Sequence, residues 1–210
     1  MKKVVSIAIC LFGFVFSGNA QEKGKIELGA STGLNYSAIS NSDGSSDGSI
    51  SFNLAASADY YFSDRWSVRA KLVYDRKGWD NAFYSIYDET TLTTYSEKTD
   101  VNLNYFTIPV EAEWHFGRKR NWYLHLGPYA GFLLNSRAAD LDLDTTDEFR
   151  TTDFGIAFGA GIKFPISEKL KIFVEYDEQT GFSEIFESNN YSKMTNSRLS
   201  LNVGVNFLLY

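Results

Sequence analysis

Residues 105–134 read YFTIPVEAEWHFGRKRNWYLHLGPYAGFLL. From Phe106 onward every second residue is apolar: Phe106, Ile108, Val110, Ala112, Trp114 and Phe116. Between them stand Thr107, Pro109, Glu111, Glu113 and His115. A short basic turn, 117–121, follows, and the code resumes. Trp122, Leu124, Leu126, Pro128, Ala130, Phe132 and Leu134 form one face; Tyr123, His125, Gly127, Tyr129, Gly131, Leu133 and Asn135 form the other. Side chains on a strand alternate between faces, so a period of two over this length predicts two β-strands. The short turn makes them an antiparallel hairpin. Each exceeds the usual ~5–6 residues and meets the ~9–11 residues of a tilted membrane-spanning strand. Two architectures fit the hairpin. In a soluble barrel or sandwich the apolar face points inward. In an outer-membrane barrel it points outward to lipid.

The same alternation recurs outward from this hairpin. Expected strands cover 26–37, 50–62, 66–77, 153–164, 170–178 and 198–210, which with the hairpin makes eight. The cleanest is 153–164, where Phe154, Ile156, Phe158, Ala160, Ile162 and Phe164 oppose Asp153, Gly155, Ala157, Gly159, Gly161 and Lys163. Connections alternate in length. Expected long loops, 39–49, 78–100, 136–152 and 179–196, alternate with short turns at 63–65, 117–121 and 165–169. Val101, Leu103 and Tyr105 are apolar in the opposite phase to the strand they precede. A bulge at Tyr105–Phe106 is expected to flip the phase and to accommodate Pro109, which has no ladder donor.

Composition fits one all-β domain. The chain has 210 residues, 16% of them aromatic, with 13 Tyr and 17 Phe but only 3 Pro. Met1-Lys2-Lys3, the apolar run 4–16 and Gly18-Asn19-Ala20 have the form of a secretory signal, so residues 1–20 are expected to be removed before Gln21, leaving 21–210 as the barrel domain. The apolar run is too short for a membrane-spanning helix. Cys10, the single cysteine, lies inside this segment, and Ile9 before it is not the small residue a lipid-modified cysteine requires. Loss of Lys2 and Lys3 makes the chain still more acidic than the net −6 of the whole. No basic stripe remains, which excludes nucleic acid as a partner.

Loop asymmetry, secretion signal and aromatic placement together favour the membrane architecture: an eight-stranded, antiparallel, up-and-down transmembrane β-barrel in the outer membrane. Trp66, Trp114 and Trp122 flank short turns as one girdle. Tyr36, Trp79, Phe132, Phe154 and Tyr176 lie toward the long loops as the other. An even strand count puts both ends of the barrel on the short-turn side. Gly29, Gly33, Gly127, Gly131, Gly155, Gly159, Gly161 and Gly204 all fall on the polar face. That face becomes the interior, which eight strands leave just wide enough for side chains. It also carries Glu27, Asp59, Arg69, Lys71, Glu111, Glu113, Lys163, Lys171, Glu175 and Arg198, charges of both signs.

The stretch YFTIPVEAEWHFG resembles the Y-(L/F)-x-I-P-(V/L) strand of PorT-like, porin-family outer-membrane barrels. YLHLGPYAGFLL and DFGIAFGAGIKF are similar to the two strands that follow there. The resemblance is specific over 105–164 and implies the same eight-stranded fold. It does not carry the namesake's role in secretion, because barrel folds host many functions. The chain departs from such barrels at its end, VNFLLY: Phe207 is in phase with the lipid face and Tyr210 is not, so either aromatic remains open as the assembly signal.

Two constellations invite chemistry. If Phe116 pairs with Trp122, Glu113 lies opposite His125, and a Glu–His pair orients a base in serine hydrolases. No serine is evidently placed to serve it, and an interior ion-pair network is the simpler expectation. Asp140, Asp142, Asp144, Asp147 and Glu148 crowd one long loop. The EF-hand pattern fails there, because Thr145 stands in the place of the required Gly and Thr151 in that of the bidentate Glu. A solvated acidic loop is expected. No catalytic, cofactor or metal residues are assigned. The sequence is therefore read as a non-enzymatic barrel with a closed lumen. Its partners are outer-membrane lipid, the barrel-assembly machinery and an envelope protein whose identity is open. The alternatives are a component of an envelope secretion or assembly machine, or a barrel enzyme.

Overall fold

The computed structural model describes residues 23–40, 47–88, 92–187 and 193–209. Nine strands occur among them: β1 (Ile26–Ser40), β2 (Asp47–Tyr61), β3 (Trp66–Asp88), β4 (Thr93–Phe116), β5 (Trp122–Ala138), β6 (Leu143–Asp144), β7 (Thr152–Pro165), β8 (Leu170–Gly181) and β9 (Thr195–Leu208). Every pairing is antiparallel. β9 returns to pair with β1, with Ala30 opposite Val205. β4 pairs with β5, so the sheet closes on itself into a ring. β6 is a two-residue strand that touches only the upper end of β5. The ring therefore has eight strands. The hairpin register is the expected one, with Phe116 opposite Trp122 and Glu113 opposite His125.

Side-chain burial gives the inside-out orientation. Leu34, Leu72, Leu126, Phe154, Leu201 and Phe207 stand exposed on the outer face, whereas Glu27, Asp59, Arg69, Glu111, Glu113 and Lys163 are buried. A predominantly apolar belt outside and a charged interior are the pattern of a barrel whose solvent is lipid. Trp66 and Trp114 meet at 6.5 Å between ring centroids on the outside near the short turns, and Phe116 stacks on Trp114 at 5.2 Å. Two short turns share one construction. Ser63 Oγ accepts from the amides of Arg65 and Trp66, and Ser167 Oγ from those of Lys169 and Leu170. The third turn bends at Gly117, φ 83°.

The structure corrects three expectations. The segment 78–100 is not a loop: β3 runs on to Asp88 and β4 starts at Thr93, so a long hairpin stands beyond the apolar belt. Above the belt both faces meet water, the apolar contrast disappears, and the sequence loses its strand signal. Second, the bulge lies between the Asn104–Asn135 and Tyr105–Leu133 pairs, so its extra residue belongs to β5. β4 keeps its phase, and Pro109 stays in register with Tyr129. Val101, Leu103 and Tyr105 are fully buried on the same inward face as Glu111 and Glu113. The polarity of the interior changes there, not the direction of the side chains. Third, Trp79 is not in a girdle; it points inward and is 6% exposed. The expected signal segment, the loop tip 41–46 and Tyr210 lie outside the described residues.

Candidate functional site

The lumen is the most distinctive feature of the barrel, and it is filled in three tiers. At the short-turn end Lys163, from β7, reaches Asp59 at 2.8 Å, Glu27 at 3.3 Å and Glu113 at 3.6 Å. Lys163 Nζ also donates to the Tyr61 hydroxyl at 2.9 Å, and that hydroxyl donates to Glu27 at 2.8 Å. Lys171, from β8, adds a second ammonium to Glu27. In the middle tier Arg69, from β3, divides its guanidinium among Asp59 (2.8 Å), Glu113 (2.6 Å) and Glu175 (2.5 Å). Its plane lies over Tyr123, 5.1 Å from the ring centroid. Lys71 Nζ sits among Glu175 (2.9 Å), Glu111 (3.2 Å) and Asp177 (3.5 Å). In the upper tier Arg198 meets Asp75 at 3.2 Å and pairs with Asp177. Lys77 meets Asp153 at 3.1 Å and lies over the rings of Tyr129 and Tyr105.

Every one of these ions is more than four-fifths removed from water, and each faces an opposite charge. Strand alternation imposes the arrangement: odd positions of β3 and β4, and odd positions of β8, all project inward and interleave their signs. A buried ion left alone is very unfavourable, so the pairs hold one another in place. The gap beside Lys71, Glu175, Asp177 and Arg198 measures about 10 Å³, room for no more than one water. Sequence alone places Glu27, Asp59, Arg69, Lys71, Glu111, Glu113, Lys163, Lys171, Glu175 and Arg198 on the interior face as charged filling. Alternation puts Asp75, Lys77, Asp153 and Asp177 on the same inward face, and with Arg198 they form the upper tier, although the sequence does not single them out as filling.

Above the ions the lumen ends in an apolar plug of Trp79, Val101, Leu103, Tyr105, Phe149 and Ile185. Phe149 enters from the segment between β6 and β7, and Ile185 from the loop after β8. Phe186 closes the cluster, 4.9 Å from Phe149 and 6.2 Å from Trp79 between ring centroids.

The histidines take different partners from the Glu113–His125 pair expected from the hairpin register. Glu113 stands opposite His125 in the ladder, but His125 Nδ1 meets Glu111, at 3.0 Å. A serine is placed after all: Ser67 Oγ lies 2.9 Å from His115 Nε2 and donates to Glu113 Oε2 at 3.0 Å. The carboxylate therefore shares Nε2 with the serine, at 3.4 Å, and Nδ1 has no hydrogen-bond partner among the described residues. A hydrolytic triad needs the acid on the far ring nitrogen. Ser67 and His115 are also wholly buried. Glu111, His125 and Asp177 bring ligand atoms within 4.8 Å of one another. The Lys71 ammonium already sits between the two carboxylates and supplies the positive charge there.

The acidic loop is held by its own contacts. Asp142 pairs with Arg137 at 2.5 Å, Asp140 accepts from the Asp100 amide, and Glu148 accepts from the Tyr84 hydroxyl at 3.0 Å. Hydrogen bonds from the Thr146 hydroxyl and amide hold the exposed Asp144 below the usual carboxylate range. Among the described residues these acids form no group of three ligand atoms.

Comparison with known proteins agrees with this geometry. Residues 19–187 match the family model described as outer membrane protein beta-barrel domain. The crystal structure of the outer membrane protein OprG from Pseudomonas aeruginosa superposes with a TM-score of 0.54 at 10% identity, covering 91% of this chain and 98% of that one. Neisserial surface protein A superposes with a TM-score of 0.51 at 16% identity, covering 87% and 96%. No curated protein sequence matches. The fold, the apolar belt and the matched span together place the chain in the outer membrane, with lipid against its outer face, as a member of the outer membrane protein beta-barrel domain family.

Proposed function

We propose that this protein is a closed, non-enzymatic barrel whose lumen braces the wall and whose extended external strands and loops do the binding. The observation that carries the reading is the occupied interior: three tiers of paired ions lie below an apolar plug among the described residues. Water-filled porins use about 16–18 strands, whereas eight bring the walls within reach of facing side chains. The test is conductance. Purified protein in planar bilayers is expected to give no sustained steps, and stable ohmic channels from the wild type would sink the reading in favour of small-solute transport. The buried Ser67 and its misplaced carboxylate support the absence of hydrolytic activity.

Within the family we place the chain among the PorT-like barrels, on YFTIPV and the two strands after it. Residues 1–20 are its export signal; mass spectrometry of the envelope form is expected to find Gln21 at the N-terminus, and a retained Met1 would contradict export by that route. The barrel-assembly machinery inserts it, with Phe207, which is exposed on the lipid face beside the β1–β9 seam, as the recognised aromatic. A second reading, membership of an envelope secretion or assembly machine, draws on the basic turn that holds Arg118, Lys119 and Arg120 at the periplasmic end. Copurification with a large envelope complex, lost on neutralising that turn, would favour it.

A further inference from the structure

On top of the apolar plug, at the root of the extended β3–β4 hairpin, lies an open cavity of about 390 Å³. Its walls include Trp79, Phe83, Tyr84 and Phe186, and its polar groups include Asp80 and Glu148. The cavity exists because the ladder breaks there. Register shifts between the Trp79–Val101 and Ala82–Thr99 pairs, and Asn81 takes a left-handed backbone, φ 59°. Asp80 and Asn81 are left out of the β3–β4 pairing, and the strand bends over the plug.

The charged residues that line the cavity, Asp80 and Glu148, are both acidic, while Lys98 and Arg150 lie against two of its walls, Phe83 and Phe186. Asp80 is the direct cross-strand partner of Asp47, and two like charges placed opposite destabilise a ladder. Asn81 relieves part of the excess, donating its side-chain amide to Asp47 at 2.8 Å and its backbone amide to Asp100 at 3.1 Å. Tyr84 donates to Glu148. Asp80 has no hydrogen-bond or ion-pair partner among the described residues. Lys98, on the neighbouring strand, does not neutralise it: its ammonium lies over the Phe83 ring, 5.2 Å from the centroid. The ring thus already receives a cation on one face. Carboxylates beside aromatic faces are the two elements that hold an organic ammonium, one by charge and the other by the ring quadrupole.

We propose that this cavity binds small organic cations, in which an ammonium group is carried on an apolar or aromatic body. The ammonium meets Asp80 and Glu148, and the body lies against Trp79 and Phe186. The proposal rests on reading the external end as the binding part of the protein. Its failure is separable, because channel conductance would overturn the closed lumen without emptying this cavity, and absent binding would do the reverse.

The test uses the whole mature barrel refolded in a maltoside detergent, which contributes no competing ammonium. Benzyltrimethylammonium is the probe, followed by calorimetry and by the ¹⁵N-indole signal of Trp79. Saturable binding with a shift of that signal is expected. Benzyl alcohol and benzoate are expected to bind at least tenfold more weakly. Asp80→Asn and Glu148→Gln, which remove charge without changing volume, are each expected to weaken the probe at least fivefold. Asp144→Asn, an exposed acid outside the cavity, is expected to leave it unchanged. Retained mobility shift on unheated gels confirms that each variant is folded. Three results would overturn the proposal: no saturable binding by the wild type, equal binding of benzyl alcohol, or equal loss from Asp144→Asn and Asp80→Asn.

Discussion

Arg69 offers the sharpest test of a lumen built as a brace. Its guanidinium is 1% exposed and reaches three carboxylates within 2.5–2.8 Å. Arg69→Met keeps most of the volume and removes the charge. The three acids then fall back on the remaining cations. Lys163 lies 2.8 Å from Asp59 and 3.6 Å from Glu113, and Lys71 lies 2.9 Å from Glu175. No acid is wholly abandoned, but one positive charge is missing from a cluster buried from solvent. Breaking a buried pair by removing one partner costs about 3–5 kcal/mol. The contact over the Tyr123 ring is lost as well. The expected loss for Arg69→Met is therefore ~4 kcal/mol, read from urea unfolding in lipid vesicles by gel mobility and tryptophan fluorescence. Arg137→Met is the control. Its pair with Asp142 is equally short but lies in water, with side chains 59% and 84% exposed, and is worth below ~1 kcal/mol. Adding Asp59→Asn to Arg69→Met is expected to recover part of the loss. If Arg69→Met cost no more than Arg137→Met, the interior would be wet and the pairs incidental.

Phe158, on the outer face of β7, is expected to tolerate charge poorly: Phe158→Arg at mid-belt should cost about 2–4 kcal/mol. Nitroxide labels walked through 154–164 should show oxygen accessibility at even positions only, and a reversed pattern would turn the barrel outside in. Gly127 and Gly131 should separate cleanly under substitution by alanine. A Cβ at Gly127 would lie 2.0 Å from the Val110 carbonyl oxygen, so backbone must move, whereas at Gly131 the nearest atoms are at 3.4 Å. Gly127→Ala is expected to reduce the folded fraction sharply and Gly131→Ala only slightly; equal effects would mean that the wall yields more easily than its ladder implies.

The barrel itself was legible because lipid enforces it. Within the belt the outward residues are almost all apolar, so Phe106 to Phe116 and Trp122 to Leu134 announce strand, face and register together. Legibility ended where that contrast ended. Residues 78–100 form strands in water on both faces, and a period of two with polar residues on both sides resembles a loop. Val101, Leu103 and Tyr105 misled for a related reason. An apolar residue on such a strand is expected to face lipid, whereas these face an interior that turns apolar above Asp153 and Lys77. Trp79 failed in the same way. Ser67 could not be linked to His115 from sequence, because the two meet through the β3–β4 pairing of Ser67 with Glu113. The cavity gave one faint trace, Asp-Asn at 80–81 within an otherwise strand-forming run, residue types that accept a left-handed backbone.

The tiers of ions also bear on how the ring is sealed. A closed barrel ends its folding by joining its first and last strands, here β1 and β9. A slip of one residue at that seam would turn lipid-facing residues inward, and hydrophobicity alone forbids it. A slip of two would keep every face correct, so the membrane is blind to it. Two residues displace a strand by about 7 Å, more than an ion pair tolerates. Glu27 on β1 must meet Lys163 and Lys171, and it also accepts from Asn206 on β9 at 3.1 Å. Arg198 on β9 must meet Asp75 across the lumen. The interior thus proofreads the seam, rejecting the one class of misclosure that the surrounding lipid cannot detect.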